Sequence, residues 1–192
     1  MVGLTTYRAL FVRGRLTAGE RLLVLGAGGG VATTAVSMAA AVGARVYVTS
    51  SSDAKIAAAR ELGAVAGVRY DDPGWPEAAR ELAGGFDLVL DCVGSWAESV
   101  RALRPGGRLV VLGASRAEES RLDVRGFYFG QFDLLGTTLG SPRDFTGLLR
   151  MLHEVDVPPP IIDRAFPLDR AAQAHEHLES GTGFGKIVLT MR

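Results

Sequence analysis

The stretch "LVLGAGGGVATTAV", residues 23–36, decides how this chain is read. It begins as an apolar strand, passes through four glycines within positions 26–30, and continues as an alanine-rich run without charge. A strand that turns at once into a helix through residues lacking Cβ is the opening of a β-α-β unit. The sequence outward from it should then alternate strands and helices.

It does so along its length. Apolar strand candidates fall at 21–26, 45–49, 65–70, 86–91, 108–113, 134–138 and 161–166, with helical patterns between them at 52–62, 76–82, 96–103 and 142–154. Strands apolar on both faces and separated by helices imply a parallel sheet covered on both sides, the doubly wound α/β plan. Glycines in "AVGA" (41–44) and "ELGA" (61–64) stop helices before the next strand. The three prolines of "EVDVPPP" (154–160) separate the main run from a last strand, helix and strand. The expected division is a main α/β unit at 1–167 and a C-terminal helix and tail strand at 168–192. "GERLLVLGAG" (19–28) and "GGRLVVLGAS" (106–115) echo each other as two central strands of one sheet rather than as a repeat.

The totals narrow the class. With 192 residues, 47% of them apolar, the chain can bury a core, and 21 basic against 21 acidic residues leave no net charge to draw it to nucleic acid or an anionic membrane. A single cysteine, Cys92, rules out an internal disulfide framework and fits a reducing, cytoplasmic setting. Residues 22–44 carry no charge, a length that could span a bilayer, but the interrupting glycines and the Ala/Thr/Ser content read as a buried strand followed by a buried helix.

At Gly26-Ala27-Gly28-Gly29-Gly30-Val31-Ala32 the strict G-x-G-x-x-G spacing fails at Val31, whereas G-x-x-G-x-x-A (Gly26, Gly29, Ala32) fits. Such a turn lets a pyrophosphate approach the main chain, where free N–H groups and the helix dipole offset its charge. The end of the second strand tests this. A ribose with free hydroxyls usually meets an acid there, but the sequence reads "VTSSSDAK", with Ser50, Ser51 and Ser52 at the tip and Lys55 close behind. Hydroxyls beside a cation suit a 2′-phosphate, which favours NADP over NAD. Ser52 also reads as a helix cap.

Other signatures fail. None of the four tyrosines is followed by lysine four residues on; "GTGFGKI" (181–187) is one residue short of a P-loop and lacks its Ser or Thr. His175 and His177 point to different helix faces, so no metal site is expected. "GASRA" (113–117) is not a nucleophile elbow.

Seven ordered segments, "GLTTYRAL" (3–10), "GERLLVLGAGGGVATTAV" (19–36), "ARELGA" (59–64), "FDLVLDCVG" (86–94), "LRPGGRLVVLGA" (103–114), "DLLGTTLGSPRDF" (133–145) and "FGKIVL" (184–189), resemble the cofactor half of medium-chain dehydrogenase/reductases. The likeness is to their quinone-oxidoreductase-like, or zinc-binding dehydrogenase, branch. The resemblance implies a Rossmann domain whose partner, a chaperonin-10-like catalytic domain, precedes the segment matching Gly3 in relatives. Where relatives carry catalytic zinc, its ligands lie in that front part.

By the same resemblance Gly29, Gly30 and Val31 serve the pyrophosphate, and Ser50 with Lys55 the adenosine ribose phosphate; Gly26 and Ser51 join them as cofactor-binding candidates from the turn spacing and the serine tip. Tyr70 lies near the adenine, and Cys92 and Val93 line the crevice. Leu112, Gly113 and Ala114, with Thr138, Leu139 and Gly140, frame the nicotinamide. Phe184 and Lys186 match a tail that returns to the catalytic domain, so the tail strand is expected to pair across chains or fray. Ser115-Arg116 stands where polyketide enoyl-reductase relatives carry a catalytic lysine, which argues against that subgroup.

The expected function is NADP binding for hydride transfer between NADPH and a carbonyl, quinone or activated double bond, with little turnover by these residues alone and catalytic residues unassigned. The alternative is a non-catalytic NADP(H)-binding module, a sensor or partner protein. A methyltransferase would want an acid where Ser50 stands. The apolar strand at 134–138 is expected at the sheet edge, pairing with its copy in a homodimer.

Overall fold

The computed structural model describes residues 1–191. Six parallel strands, β1 (Arg21–Val24), β2 (Arg45–Ser50), β3 (Ala64–Arg69), β4 (Phe86–Asp91), β5 (Leu103–Val111) and β6 (Asp133–Gly136), form one sheet in the order β3-β2-β1-β4-β5-β6. This is the doubly wound α/β arrangement expected from the alternating pattern. The order reverses between β1 and β4, and the carboxyl ends of those two strands open the crevice where such sheets bind ligands.

The alternation along each strand explains the two-sided core. Leu22 and Val24 of β1, Val46 and Val48 of β2, and Leu88 and Leu90 of β4 pack on one face with the helix α2 (Gly30–Ala41). Leu23, Tyr47, Val89 and Leu109 point to the other, where Trp75 and Ala79 of α4 (Trp75–Ala83) cover them. Each leucine or valine so buried is worth about 1.5–3 kcal/mol. The helix α3 (Asp53–Glu61) joins β2 to β3 and α5 (Trp96–Ala102) joins β4 to β5. The short α6 (Val124–Phe129) precedes β6, and α7 (Pro142–Glu154) follows it. The charge-free run at 22–44 divides into β1, α2 and their connections. Among the described residues no helix is long and apolar enough to cross a membrane.

Several boundaries differ from the sequence pattern, for local reasons. β1 stops at Val24 rather than residue 26, because Gly26 turns into the left-handed region at φ +75°. β5 starts at Leu103, expected to end the preceding helix: Leu103 is extended, fully buried and paired with Phe86, and Pro105 removes a donor that a longer helix would need. β6 is shorter than 134–138, covering Asp133–Gly136. The first residues, for which no element was expected, form α1 (Val2–Tyr7) and a π-helical turn (Arg8–Arg13), with Thr6, Ala9 and Leu10 buried.

The last strand, helix and strand, β7 (Ile162–Pro167), α8 (Ala171–Glu179) and β8 (Lys186–Thr190), make a separate unit in which β7 and β8 pair in parallel. The tail expected to fray or pair across chains therefore finds its partner within the chain. The strand ending at Pro167 shares a sheet with β8 rather than with β1–β6. A bridge between Gly29 and Gly185 fastens the unit to the main sheet's glycine turn.

Buried carboxylates tie the sheet at both ends. At the base, Asp87 accepts from the Arg21 N–H at 2.8 Å and its Nε at 3.2 Å, and pairs with Arg104. Burial alone would raise the Asp87 carboxyl, but the Arg21 N–H and the two guanidiniums hold it below its ordinary value. At the carboxyl end the fully buried Asp91 accepts from the N–H groups of Val93 and Gly94, each at 2.8 Å, and from Ser99 Oγ at 3.1 Å. Removing that acceptor strands three donors at the turn that walls the crevice. Asp91→Ala should lower the unfolding free energy in urea by about 3 kcal/mol. Asp91→Asn, whose oxygen can still accept from the turn, should recover part of the loss.

Candidate functional site

The glycine turn leaves the N-terminus of α2 open. Gly29 occupies the N-cap position in an extended conformation, and no side chain caps the helix. The first-turn N–H groups therefore have no intrahelical partner and face the crevice with the positive end of the helix dipole. The turn itself is held by Ala27 N–H donating to Thr49 O at 2.8 Å and Gly29 N–H donating to Gly26 O at 3.2 Å. Thr34 Oγ1 donates to Gly30 O at 2.7 Å, tying the first turn from within.

A cleft of about 370 Å³ opens here, lined on the sheet side by Gly26, Gly29, Gly30, Ser50, Ser51, Lys55 and Tyr70. The C-terminal unit lines the other side. Gly185 N–H donates to Gly28 O at 2.9 Å, and Lys55 Nζ donates to Gly181 O at 2.5 Å. The stem of Lys186 lies so close over Gly30 that a Cβ there would displace it. The ammonium of Lys186 has no carboxylate partner among the described residues, and Lys55 retains two further N–H donors.

At the tip of β2, Ser50 is buried and its Oγ accepts from Ser52 N–H at 3.2 Å, while Ser51 Oγ accepts from the Tyr70 hydroxyl at 3.1 Å. Ser52 caps α3 by accepting from Lys55 N–H. The nearby acid, Asp53, is exposed and turned to Arg69 at 3.3 Å, so no carboxylate points at the serines. The acid within the cleft, Asp163 on β7, accepts from Phe184 N–H at 3.0 Å and pairs with His177 Nε2 at 2.7 Å. The Phe184 N–H and then His177 hold the Asp163 carboxyl below its ordinary value. Its role there is to pin the 181–185 loop against the turn.

A second cleft of about 160 Å³ shares Gly26 and Tyr70 with the first and adds Leu25, Thr49, Trp75, Val93, Ser95, Ser115 and Arg116. The remaining sequence candidates lie further along the carboxyl edge. Gly113 leaves β5 at φ +99°, seated where a Cβ would press on the Cys92 carbonyl, and Ala114 follows it, exposed. Leu139 is 43% exposed and Gly140 abuts Leu4. Cys92, Gly113, Ala114, Leu139 and Gly140 line neither cleft, and Val31 packs against the core under the turn. Sequence reasoning missed Asp163, His177, Gly183 and the placement of Lys186, which reach the glycine turn only through the fold of the C-terminal unit. The "HEH" and "FGK" segments were visible, but nothing in their spacing points back to residue 30.

Burial, and then the neighbouring Asp91, push the Cys92 thiol up to about 12. Among the described residues no group of three or more His, Cys, Asp or Glu side chains could hold a metal ion, so these residues do not fit a zinc site.

Residues 30–154 match the zinc-binding dehydrogenase family. The chain is 32% identical, over 97% of its length and 55% of the relative's, to a zinc-type alcohol dehydrogenase-like protein YogA of Leptosphaeria maculans. Its fold superposes on that of an NAD-dependent alcohol dehydrogenase with a TM-score of 0.91 and 33% identity, covering 100% of this chain and 57% of that one. The quinone oxidoreductase of Thermus thermophilus, solved also in complex with NADPH, gives 0.86 and 30%, covering 100% and 64%. The chain spans 51–60% of the length of the first curated relatives it matches.

The thiol's environment gives a direct check. Iodoacetamide at pH 8.5 should alkylate Cys92 in the denatured chain and react more than about 100-fold more slowly in the native one, where the thiolate is scarce. Equal rates would mean that the thiol is not shifted.

Proposed function

The chain belongs to the zinc-binding dehydrogenase branch of the medium-chain dehydrogenase/reductase family, and from that premise we propose that it is the NADP-binding domain of an oxidoreductase. The intact enzyme would transfer hydride between NADPH and a carbonyl, a quinone or an activated double bond. The observation that carries this is the cleft at residues 26–30. An uncapped helix start, a turn free of side chains and two lysines converge there, a combination that suits a pyrophosphate.

The choice of NADP rests on the tip of β2. A ribose diol would find no free carboxylate there, since Asp53 is held by Arg69 and Asp163 by His177. A 2′-phosphate would find the Ser51 hydroxyl and the two spare donors of Lys55. The solved relatives include both an NAD-dependent enzyme and an NADPH complex, so the preference is argued from these residues. Gly29 and Gly30 would receive the pyrophosphate with Lys186 over it. Val93 and Tyr70 would flank the adenosine, and Gly113, Ala114, Leu139 and Gly140, at the ends of β5 and β6, would border the nicotinamide. The cofactor, when bound, supplies the hydride chemistry; the protein's share is to bind, orient and exclude water.

Association of two copies of the chain is also proposed, through β6. Among the described residues that strand pairs with β5 alone, and the apolar side chains of Leu134 on it and of Val124, Tyr128 and Phe129 on α6 are exposed. An unpaired apolar edge is a template for its own copy.

Titration followed by nicotinamide fluorescence should give tight binding of NADPH and weak binding of NADH. Lys55→Glu should weaken NADPH about 10- to 100-fold and narrow or reverse the preference; equal binding of both by the unaltered chain would reject the 2′-phosphate assignment. Light scattering should give about twice the 20.3 kDa chain mass, falling to the monomer in Leu134→Lys. A monomeric unaltered chain would reject the edge-strand dimer.

A further inference from the structure

The second cleft contains an interaction that the cofactor reading leaves unused. The Arg116 guanidinium lies 4.7 Å from the centroid of the Tyr70 ring. Tyr70 is fixed from below by its hydroxyl's bond to Ser51, and Arg116 is fixed at its main chain, whose N–H donates to Val93 O at 2.9 Å. Ala117 beside it presses so closely on Gly94 that a Cβ there would not fit. The backbone of this loop is thus anchored to the end of β4, while the long side chain is exposed and has no carboxylate partner among the described residues. Arg69, the residue before Tyr70, is by contrast held by Asp71 and Asp53.

Leu25, Gly26, Val93 and Trp75 line the slot together with Thr49, Ser95 and Ser115, and Tyr70, bonded to Ser51, lies on the side of the serine tip. The slot opens directly beside the cleft assigned above to the ribose and phosphates, sharing Gly26 and Tyr70 with it, so a planar group attached to that ribose would enter here. A planar ring on Tyr70 would need the face that Arg116 now covers. A separation of 4.7 Å leaves no space for an intervening plane, since two stacked layers take about 7–8 Å. The guanidinium must move, and its planar, weakly hydrated surface stacks as well on a purine as on tyrosine.

We propose that Arg116 is a specificity-determining residue for the purine end of the nucleotide: it occupies the Tyr70 face in the free chain and swings to cover the outer face of the base when nucleotide enters. The proposal rests on the reading of the cleft as a dinucleotide site. It assigns Arg116 to the base and leaves the 2′-phosphate to Lys55 and Ser51.

The test is calorimetric titration of the full chain and of Arg116→Ala and Arg116→Lys with three probes. These are 2′,5′-ADP, 5′-ADP, which lacks the 2′-phosphate, and nicotinamide mononucleotide, which lacks the purine. Arg116 is exposed, so both variants should fold. Arg116→Ala should weaken both adenosine probes by a similar factor, about 5- to 20-fold, and leave the mononucleotide unchanged. Arg116→Lys, which keeps the charge and loses the plane, should fall between. Tighter binding by Arg116→Ala would make the side chain an obstacle and overturn the proposal. Weakening of 2′,5′-ADP alone would make it a phosphate ligand and overturn it equally. Unchanged affinities in a chain that binds both adenosine probes would overturn the role of Arg116 alone. An unaltered chain that binds neither adenosine probe would overturn the dinucleotide reading and this proposal with it.

Discussion

The connection between β1 and α2 must reverse the chain over the end of the sheet without placing a side chain in the reversal, and much of the site follows from that constraint. Gly26 takes the left-handed conformation, Gly29 stands uncapped at the helix start, and Gly30 lies under the stem of Lys186. Because no side chain satisfies the helix start, its N–H groups stay available. Because no Cβ intrudes, the C-terminal unit can close to hydrogen-bonding distance, with Gly185 N–H on Gly28 O. One stretch of backbone is thus both the floor of a polar cleft and the dock for β7 and β8.

The charges around the cleft are arranged by pairing as much as by position. Each nearby acid is already engaged: Asp53 with Arg69, Asp163 with His177 and the Phe184 N–H, Asp91 with its own turn and Ser99. Of the cations facing the space, Lys55 donates to the Gly181 carbonyl and Lys186 lies over the Gly30 backbone, and neither forms a salt bridge among the described residues. A neutral chain can in this way present a locally positive pocket, so the overall balance of 21 basic and 21 acidic residues says little about the site.

What could be read in advance depended on how local the cause was. The strand at 86–91 and the helix at 142–154 have their observed bounds in the pattern. The first is an apolar run closed by acids, and the second starts at Ser141-Pro142 with Asp144 completing a capping box. The start of β5 was misread because Leu103 continues the helical pattern of 96–102, and only pairing with Phe86 makes it extended. The glycine turn, Ser50, Ser51 and Lys55 could be nominated from position in a β-α-β unit and Tyr70 through resemblance, and the fold brings them to one cleft. Cys92, Gly113, Ala114, Leu139 and Gly140 were nominated through resemblance, and they lie along the same carboxyl edge outside both clefts.

The sequence by itself determined the layers, the parallel sheet and the glycine turn, since these follow from alternation, helix stops and the absence of Cβ, all properties of neighbours along the chain. It also determined the family. Only the tertiary structure decided that the tail pairs with β7 and covers the turn, that Lys186 lies on Gly30, and that Arg116 rests on Tyr70. These last two contacts join residues 156 and 46 positions apart, and no periodicity or motif encodes such a distance. They arise along the row of carboxyl ends of strands β3, β2, β1, β4 and β5, where the last unit folds back over the glycine turn.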